Sequence, residues 1–162
     1  MSTEAAPARI QSTDLSIDRL VALTQRPDCG ALATFTGLVR DHHDGKAVSH
    51  LEYTAHEPLA DKMIREIEVE VREQFGVAEC VVVHRVGALQ IGETAIAAVV
   101  RSPHRAEAFA ALEAVVDAVK HRVPIWKEEF YTDGTSVFVE GCSIAEATTG
   151  SAAVGPQRNE GS

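Results

Sequence analysis

The sequence predicts an α+β domain, because strand-like and helix-like patterns of hydrophobicity are mixed along the chain. Short apolar or alternating runs rich in β-branched residues are typical of strands. Three longer runs have apolar residues at steps of three and four, as in amphipathic helices. Asp133-Gly134 lies between two extended runs and is a strong hairpin signal. Hairpins together with strand-helix units are typical of the α+β class.

Cap and turn residues indicate where these elements begin and end. After a short extended piece near Ile10, Ser16 can cap a first helix that ends by Pro27, since proline cannot continue it. Pro58 suits the first turn of a second helix, which Gly76 ends. We expect the first two strands to pair, and a turn between the third and the fourth. The predicted strands span residues 29–39, 48–54, 80–86, 94–101, 126–132 and 136–140.

A third helix carries the most informative residues. We expect Ser102 to cap it and Pro103 to occupy its first position, where a missing N–H costs nothing. Pro124 ends it. Its predicted apolar stripe, spaced at three and four residues, consists of Phe109, Leu112, Val116, Val119 and Val123.

Cationic side chains mark both ends of this helix. His104 and Arg105 occupy the first turn, where free N–H groups and the positive end of the helix dipole favour an anion such as phosphate. Lys120 and Lys127 lie near the other end, and Lys120 is a candidate acid or base. Arg105 and Lys120 both fall on or beside the apolar stripe. Either they snorkel to water, or they serve a site.

Helix length separates these two groups of cations. Lys120 follows His104 by 16 positions, about 24 Å at ~1.5 Å per residue, so one small substrate cannot touch both. The ends therefore serve separate sites, or two copies of the chain complete one pocket. We favour the shared pocket.

Length and composition restrict the class of protein. The 162 residues suffice for one domain, which we place at 9–142 between polar, disordered tails at 1–8 and 143–162. A net charge of −9 argues against general nucleic-acid or anionic-membrane binding. Three cysteines without a CxxC pair suggest a reducing compartment and no structural zinc. Without a signal-peptide or membrane-spanning pattern, we expect a cytoplasmic protein.

Several other polar residues have simpler interpretations. Adjacent His42-His43 lacks partners at ligand spacing, so we expect no metal site and no cofactor. Arg40 lies where a strand runs into a loop, a place where ligand contacts occur but solvated arginines are commoner. His84-Arg85 ends a buried strand and is interpreted as a structural hydrogen-bonding pair. Three carboxylates are predicted on a solvated face of the second helix: Glu68, Glu70 and Glu73.

Four segments occur together in a specific order: Thr36–Arg40 (TGLVR), Val83–Gly87 (VHRVG), Ser102–Arg105 (SPHR) and Lys120–Glu129 (KHRVPIWKEE). Over roughly residues 12–140 the chain resembles the catalytic, or large, subunit of molybdopterin synthase. The resemblance implies an α/β hammerhead fold with a small extra hairpin region. It also implies a homodimer at the centre of a heterotetramer, and no cofactor.

The resemblance further implies a sulfurtransferase. Its partner would be a small ubiquitin-like sulfur carrier with a C-terminal Gly-Gly thiocarboxylate. Sulfur would pass from this carrier to cyclic pyranopterin monophosphate and form the dithiolene of molybdopterin, a step of molybdenum cofactor biosynthesis. At Gly141-Cys142 the chain departs from many relatives, which have a basic or polar residue there.

Matched by position, the family's site residues fall on two sets in this chain. The catalytic pair is Lys120 and Lys127. The substrate-binding residues are Leu38, Val39, Arg40, His104, Arg105, Glu128 and Glu129. Two alternatives stay open: an unrelated enzyme that uses one of the lysines as a Schiff-base nucleophile, and a non-catalytic anion-binding module that uses the helix N-terminus alone.

Overall fold

The computed structural model of the protein describes residues 6–139. Residues 1–5 and 143–162 of the two expected tails lie outside this range, as do Gly141 and Cys142. In chain order the elements are β1 (Ile10–Gln11), α1 (Ile17–Leu23), β2 (Ala31–Leu38), β3 (His42–His43), β4 (Lys46–Ala55), α2 (Glu57–Phe75), β5 (Glu79–Arg85), β6 (Gly87–Gln90), β7 (Thr94–Ser102), α3 (Arg105–Arg122), β8 (Ile125–Tyr131) and β9 (Ser136–Val139).

The strands form two sheets. The first has the order β1-β5-β7-β2, in which β1 runs parallel to β5 and the other pairs are antiparallel. In the second sheet β4 pairs with β3, β6 and β8, and β9 continues from β8 as a hairpin. Helices combined with mostly antiparallel sheets confirm the predicted α+β class.

The predicted pairing of the first two long strands is wrong, because β2 pairs with β7 and β4 lies in the other sheet. The chain leaves the first sheet at Val39, whose N–H donates to the Glu93 carbonyl (3.0 Å) and whose carbonyl accepts from the Gly92 N–H (2.9 Å). The polar segment that follows is a crossing between sheets rather than a hairpin turn. Part of the predicted turn at residues 87–93 is also strand, since β6 pairs with β4.

The boundaries of the first two helices are as predicted. Ser16 Oγ accepts a hydrogen bond from the Arg19 N–H at 3.2 Å, which caps α1. Pro58 lies in the first turn of α2, and Gly76 ends this helix with a φ of 67°, a left-handed conformation that glycine adopts without strain. Within residues 6–139 no helix has both the length and the apolar character needed to span a membrane.

The start of α3 differs from the prediction, and of its predicted apolar stripe Val116, Val119 and Val123 are buried whereas Phe109 is not. Ser102 is the last residue of β7 and is buried, and His104 is the N-cap residue, without a side-chain cap. Phe109 is 67% exposed, and Arg105 is exposed on the same side. The helix packs closely on the first sheet and therefore buries mainly small residues: Ala108, Ala111, Val115, Val116 and Val119.

The first sheet is covered on both faces, so its central strands are continuously apolar. Val82 and Val100 face α2 and α3, whereas Val81 and Val99 face α1. A separate apolar cluster lies where the two sheets meet and includes Val39 and Leu51. The seam between the sheets is therefore a packed part of the fold.

The predicted solvation of Glu68 is wrong. Its carboxylate is buried and accepts hydrogen bonds from Arg9 Nε at 2.7 Å, Arg9 Nη2 at 2.9 Å and the Val82 N–H at 2.9 Å. Glu68 lies between Ile67 and Val71 on the face of α2 that packs against the sheet. The charge is tolerated there because Arg9, which immediately precedes β1, neutralises it.

Candidate active site

One cavity of about 380 Å³ lies where the two sheets meet the C-terminal end of α3. Strands β2, β5 and β7 of the first sheet contribute to its wall, as do β4 and β8 of the second. This volume is in the range of small-molecule sites. The ionisable side chains in its wall include Arg40, Tyr53, His84, Lys120, Lys127 and Glu129.

Both predicted catalytic lysines line this cavity. Lys120 is in the last turn of α3, and Lys127 follows the break at Pro124 and lies in β8. The Nζ atom of Lys120 is 5.7 Å from the centre of the Phe35 ring, within the range of a cation–π contact. Lys120 is an exposed residue, whereas the side chain of Lys127 is only 26% exposed.

Glu129 organises the polar end of the cavity. Its Oε1 lies 2.8 Å from His43 Nδ1 and 3.5 Å from Lys127 Nζ, and its Oε2 accepts a hydrogen bond from the Tyr131 hydroxyl at 3.0 Å. Burial opposes the charge of this carboxylate. The contacts with His43, Tyr131 and Lys127 outweigh burial and hold the pKa of Glu129 below its ordinary value. The group is therefore a fixed anion that pairs with Lys127.

Strand alternation explains which neighbours join this site. Lys127, Glu129 and Tyr131 project to one face of β8, opposite Tyr53 and Leu51 of β4. Glu128 projects to the other face, where its Oε1 accepts a hydrogen bond from Ser136 Oγ at 2.8 Å. The structure therefore separates Glu128 from the cavity that contains Glu129.

Residues 38–40, at the end of β2, are also divided between the cavity and the core. Leu38 and Arg40 line the cavity, and Leu38 is 57% exposed. Val39 is buried in the cluster between the sheets and does not line the cavity. Gly37 needs to be glycine, because an added Cβ would lie 2.5 Å from Ile96 Cγ2. The close approach of β2 to Ile96 thus shapes this wall.

His104 and Arg105 do not line this cavity, because they lie at the opposite end of α3. Both are exposed in a single chain. The structure thus brings together five of the nine predicted site residues and leaves Val39, Glu128, His104 and Arg105 elsewhere. Along residues 6–139, no three His, Cys, Asp or Glu side chains are grouped so that they could hold a metal ion.

Sequence reasoning missed Tyr53 as a member of the site and gave His84 a structural role only. Burial, together with the charge of Glu129, raises the pKa of Tyr53 to about 12, so this phenol stays protonated. His84 packs edge-on against the Tyr53 ring, with ring centres 4.9 Å apart. Burial lowers the pKa of His84 to about 4, and the charge of Lys120 acts in the same direction. The alternation of polar residues along β4 was the signal for Tyr53.

The fold and this cavity define a class of protein: an α+β protein with a lysine-lined cavity whose charges can bind an anionic ligand. Comparisons with known proteins identify the family. The family model described as MoaE protein matches residues 10–122. The molybdopterin synthase catalytic subunit of Bacillus subtilis is 38% identical over 125 residues, which cover 77% of this chain and 80% of the relative.

The molybdopterin synthase catalytic subunit of Nostoc sp. is 40% identical over 126 residues, covering 77% of this chain and 76% of the relative. The crystal structure of molybdopterin synthase from Staphylococcus aureus has the same fold, with a TM-score of 0.77 and 33% identity over 86% of this chain and 98% of that one. The chain belongs to the MoaE family of molybdopterin synthase catalytic subunits. The family, the fold and the sulfurtransferase class predicted from the sequence are confirmed.

Proposed function

We propose that the cavity between the two sheets is the site where sulfur passes from a carrier's C-terminal thiocarboxylate to cyclic pyranopterin monophosphate. The observation that carries this proposal is the meeting of Lys120, Lys127 and Arg40 around one small-molecule-sized cavity. Glu129 pairs with Lys127, so the three cations still leave a surplus of positive charge in the wall that an anionic ligand can neutralise. The chain as a whole has a net charge of −9, so this cluster is a local exception.

The two lysines have different surroundings and therefore different tasks. Glu129 holds Lys127, which suits it to fix the carboxyl end of the carrier at one place. Lys120 is exposed above the Phe35 ring and has no ion-pair partner among residues 6–139. Lys120 is thus free to move a proton as sulfur attacks the pterin and the cyclic phosphate opens.

Arg40 and Leu38 complete the proposed substrate contacts within one chain. A guanidinium group binds a phosphate through paired hydrogen bonds, so we assign the phosphate of the substrate to Arg40. The exposed side chain of Leu38 gives the extended Gly-Gly end of the carrier an apolar contact at the cavity. Val39 and Glu128 support this wall from behind and have no assigned contact with substrate.

His104 and Arg105 join the site from a second copy of the chain. The 18 residues of α3 make a rod of about 27 Å, so the two cations of its first turn lie far from the cavity at its other end. Both side chains are exposed and therefore available to a partner chain. The shared site requires a homodimer, with one carrier bound to each copy.

The reaction fits the cytoplasm, which we propose as the location. Within residues 6–139 both cysteines, Cys29 and Cys80, are free thiols, as expected in a reducing compartment.

The test is to mix the purified chain with a thiocarboxylated carrier and cyclic pyranopterin monophosphate, and to measure molybdopterin as its fluorescent oxidised derivative. Lys120→Ala should lower kcat about 100-fold or more, the usual effect of losing an acid–base group. Lys127→Ala should also lower kcat, because the carboxyl end of the carrier is no longer held in place. Lys62→Ala, at an exposed lysine of α2, is the matched control and should keep full activity.

Two outcomes would contradict the proposal. No molybdopterin from the folded chain, together with pterin binding that depends on Arg105 and not on the lysines, would favour the non-catalytic anion-binding module. Trapping of a carbonyl substrate on Lys120 or Lys127 by borohydride would favour the Schiff-base enzyme.

A further inference from the structure

His84 is a buried polar residue of the cavity wall that the proposed sulfur transfer does not use. It is 6% exposed and lies near the end of β5, opposite Ile96 of β7. Alternation along β5 places its side chain on the same face as Cys80 and Val82, under α2 and α3. This places the imidazole beside the last turn of α3, where Lys120 lies.

One nitrogen of the His84 ring has a fixed role. Nδ1 lies 2.8 Å from the carbonyl oxygen of Arg85, and a carbonyl can only accept a hydrogen bond, so Nδ1 carries the proton. The edge-on contact with Tyr53 fixes the ring plane. A neutral imidazole protonated at Nδ1 has a lone pair at Nε2.

Nε2 has no hydrogen-bond partner among residues 6–139. It is also not completely enclosed by protein atoms. Because His84 lines the cavity, this atom is accessible from the cavity. Its lone pair therefore remains available to a bound molecule.

The Tyr53 hydroxyl and the His42 ring also offer acceptors in this wall, but of the three residues only His84 is buried. Arg40, Lys120 and Lys127 can only donate. Both oxygens of Glu129 are already occupied, by His43 and Lys127 on one side and Tyr131 on the other. A ligand with both an anionic group and N–H groups can satisfy the anion at the cations, but it needs a separate acceptor for its N–H groups.

We infer that His84 Nε2 accepts a hydrogen bond from a ring N–H of the pterin substrate and thereby fixes the orientation of the pterin ring in the cavity. This inference rests on the proposed function, and it adds a substrate contact to it. The cations then bind the phosphate and thiocarboxylate ends, and His84 selects a ring that presents an N–H at the correct place. A phosphorylated molecule without such an N–H leaves Nε2 unpaired and binds more weakly.

Two isosteric substitutions separate the two ring nitrogens. In His84→Asn the amide can still donate to the Arg85 carbonyl, but no atom reaches the position of Nε2. In His84→Gln the longer amide can place its oxygen near that position. We expect His84→Asn to raise KM for cyclic pyranopterin monophosphate about tenfold, the cost of one unpaired buried group. In His84→Gln the rise of KM should be much smaller.

The carrier provides the control for a structural effect. KM for the thiocarboxylated carrier and the melting temperature should be similar in the two variants, since neither depends on Nε2. An equal loss of affinity for both substrates, or no difference between Asn and Gln, would overturn the inference.

A measurement on the unmodified protein covers the case in which the variants fail to fold. With ¹⁵N-labelled histidine, the Nε2 signal of His84 should move to lower frequency when cyclic pyranopterin monophosphate is added, as an accepting nitrogen does. Inorganic phosphate should leave it unmoved. Pterin binding without movement of this signal would overturn the role of His84 alone, whereas an absence of pterin binding would overturn the proposed function itself.

Discussion

Lys127 and Glu129 lie on the same face of β8, and the ammonium nitrogen of the lysine is 3.5 Å from the nearer carboxylate oxygen. The glutamate side chain is only 4% exposed, and hydrogen bonds with His43 and Tyr131 fix it from two other directions. The position of Lys127 therefore depends on a carboxylate that is itself held by the second sheet. We therefore expect Glu129 to act on the proposed reaction largely through this lysine.

Replacing Glu129 by glutamine keeps the shape of the side chain and removes its charge. We expect kcat for sulfur transfer to fall about tenfold, because Lys127 loses a charged partner, and the melting temperature to fall as well, because His43 and Tyr131 lose the same carboxylate. Steady-state kinetics with the carrier and the pterin measure this effect. Glu52→Gln, at an exposed glutamate on the outer face of β4, is the matched control, and an equal loss in both variants would contradict the role of Glu129.

Mixing two inactive variants tests whether two chains share each site. Arg105→Ala and Lys120→Ala chains, mixed and allowed to exchange, should regain about a quarter of full activity, because half of the dimers are mixed and each has one intact site. Lys120→Ala mixed with Lys127→Ala should regain none, since these two residues belong to the same cavity. Equal recovery in both mixtures, or none in either, would argue against a shared site.

His84 makes folding stability depend on pH. In the folded protein its pKa is lowered from 6.5 to about 4 by burial, so the unfolded chain binds a proton first as the pH falls. The folded state should therefore lose up to about 3 kcal/mol of stability between pH 6.5 and pH 4. Urea unfolding across this pH range measures the free energy of unfolding of the unmodified chain and of His84→Gln. The free energy should fall more steeply with falling pH in the unmodified chain. Parallel curves would contradict the burial of a neutral imidazole.

Two glutamates of α2 provide a matched comparison of buried and exposed ion pairs. Glu68→Ala should lower the free energy of unfolding by about 3–5 kcal/mol, because it leaves the buried Arg9 unpaired. Glu70→Ala removes an exposed pair with Arg122 and should cost less than about 1 kcal/mol. Chemical denaturation of both variants tests this, and similar losses would show that the Arg9–Glu68 pair is not sequestered from water.

Local patterns predicted most elements but not their partners. The caps at Ser16 and Gly76 and the hairpin at Asp133-Gly134 depend only on neighbouring residues, so they can be predicted from the local sequence. The pairing of β2 with β7 depends on residues more than 50 positions apart, and adjacency along the chain wrongly favoured β4. The bonds that carry Val39 from one sheet to the other have no local sequence signal.

The residues of the candidate site were likewise predicted only in part. The resemblance predicted Lys120, Lys127, Arg40, Leu38 and Glu129, and these line one cavity. Strand alternation could have separated Glu129 from Glu128 and Leu38 from Val39 before the structure was known.

The error at α3 came from weighting large residues over small ones. Phe109 suggested the buried stripe, but the helix packs too closely on the sheet to admit it and buries alanine and valine instead. Glu68 fits the buried spacing of α2, yet only the position of Arg9 in space makes its burial acceptable.

The two proposed catalytic lysines belong to different layers of the fold. Lys120 ends a helix packed on the first sheet, Lys127 lies in a strand of the second, and a short segment around Pro124 joins them. The separation of the two ammonium groups therefore varies with the angle between the sheets, even when each sheet stays intact. A ligand that bridges the lysines acts as a clamp across this seam. Pressure or heat that loosens the seam should weaken ligand binding before either layer unfolds.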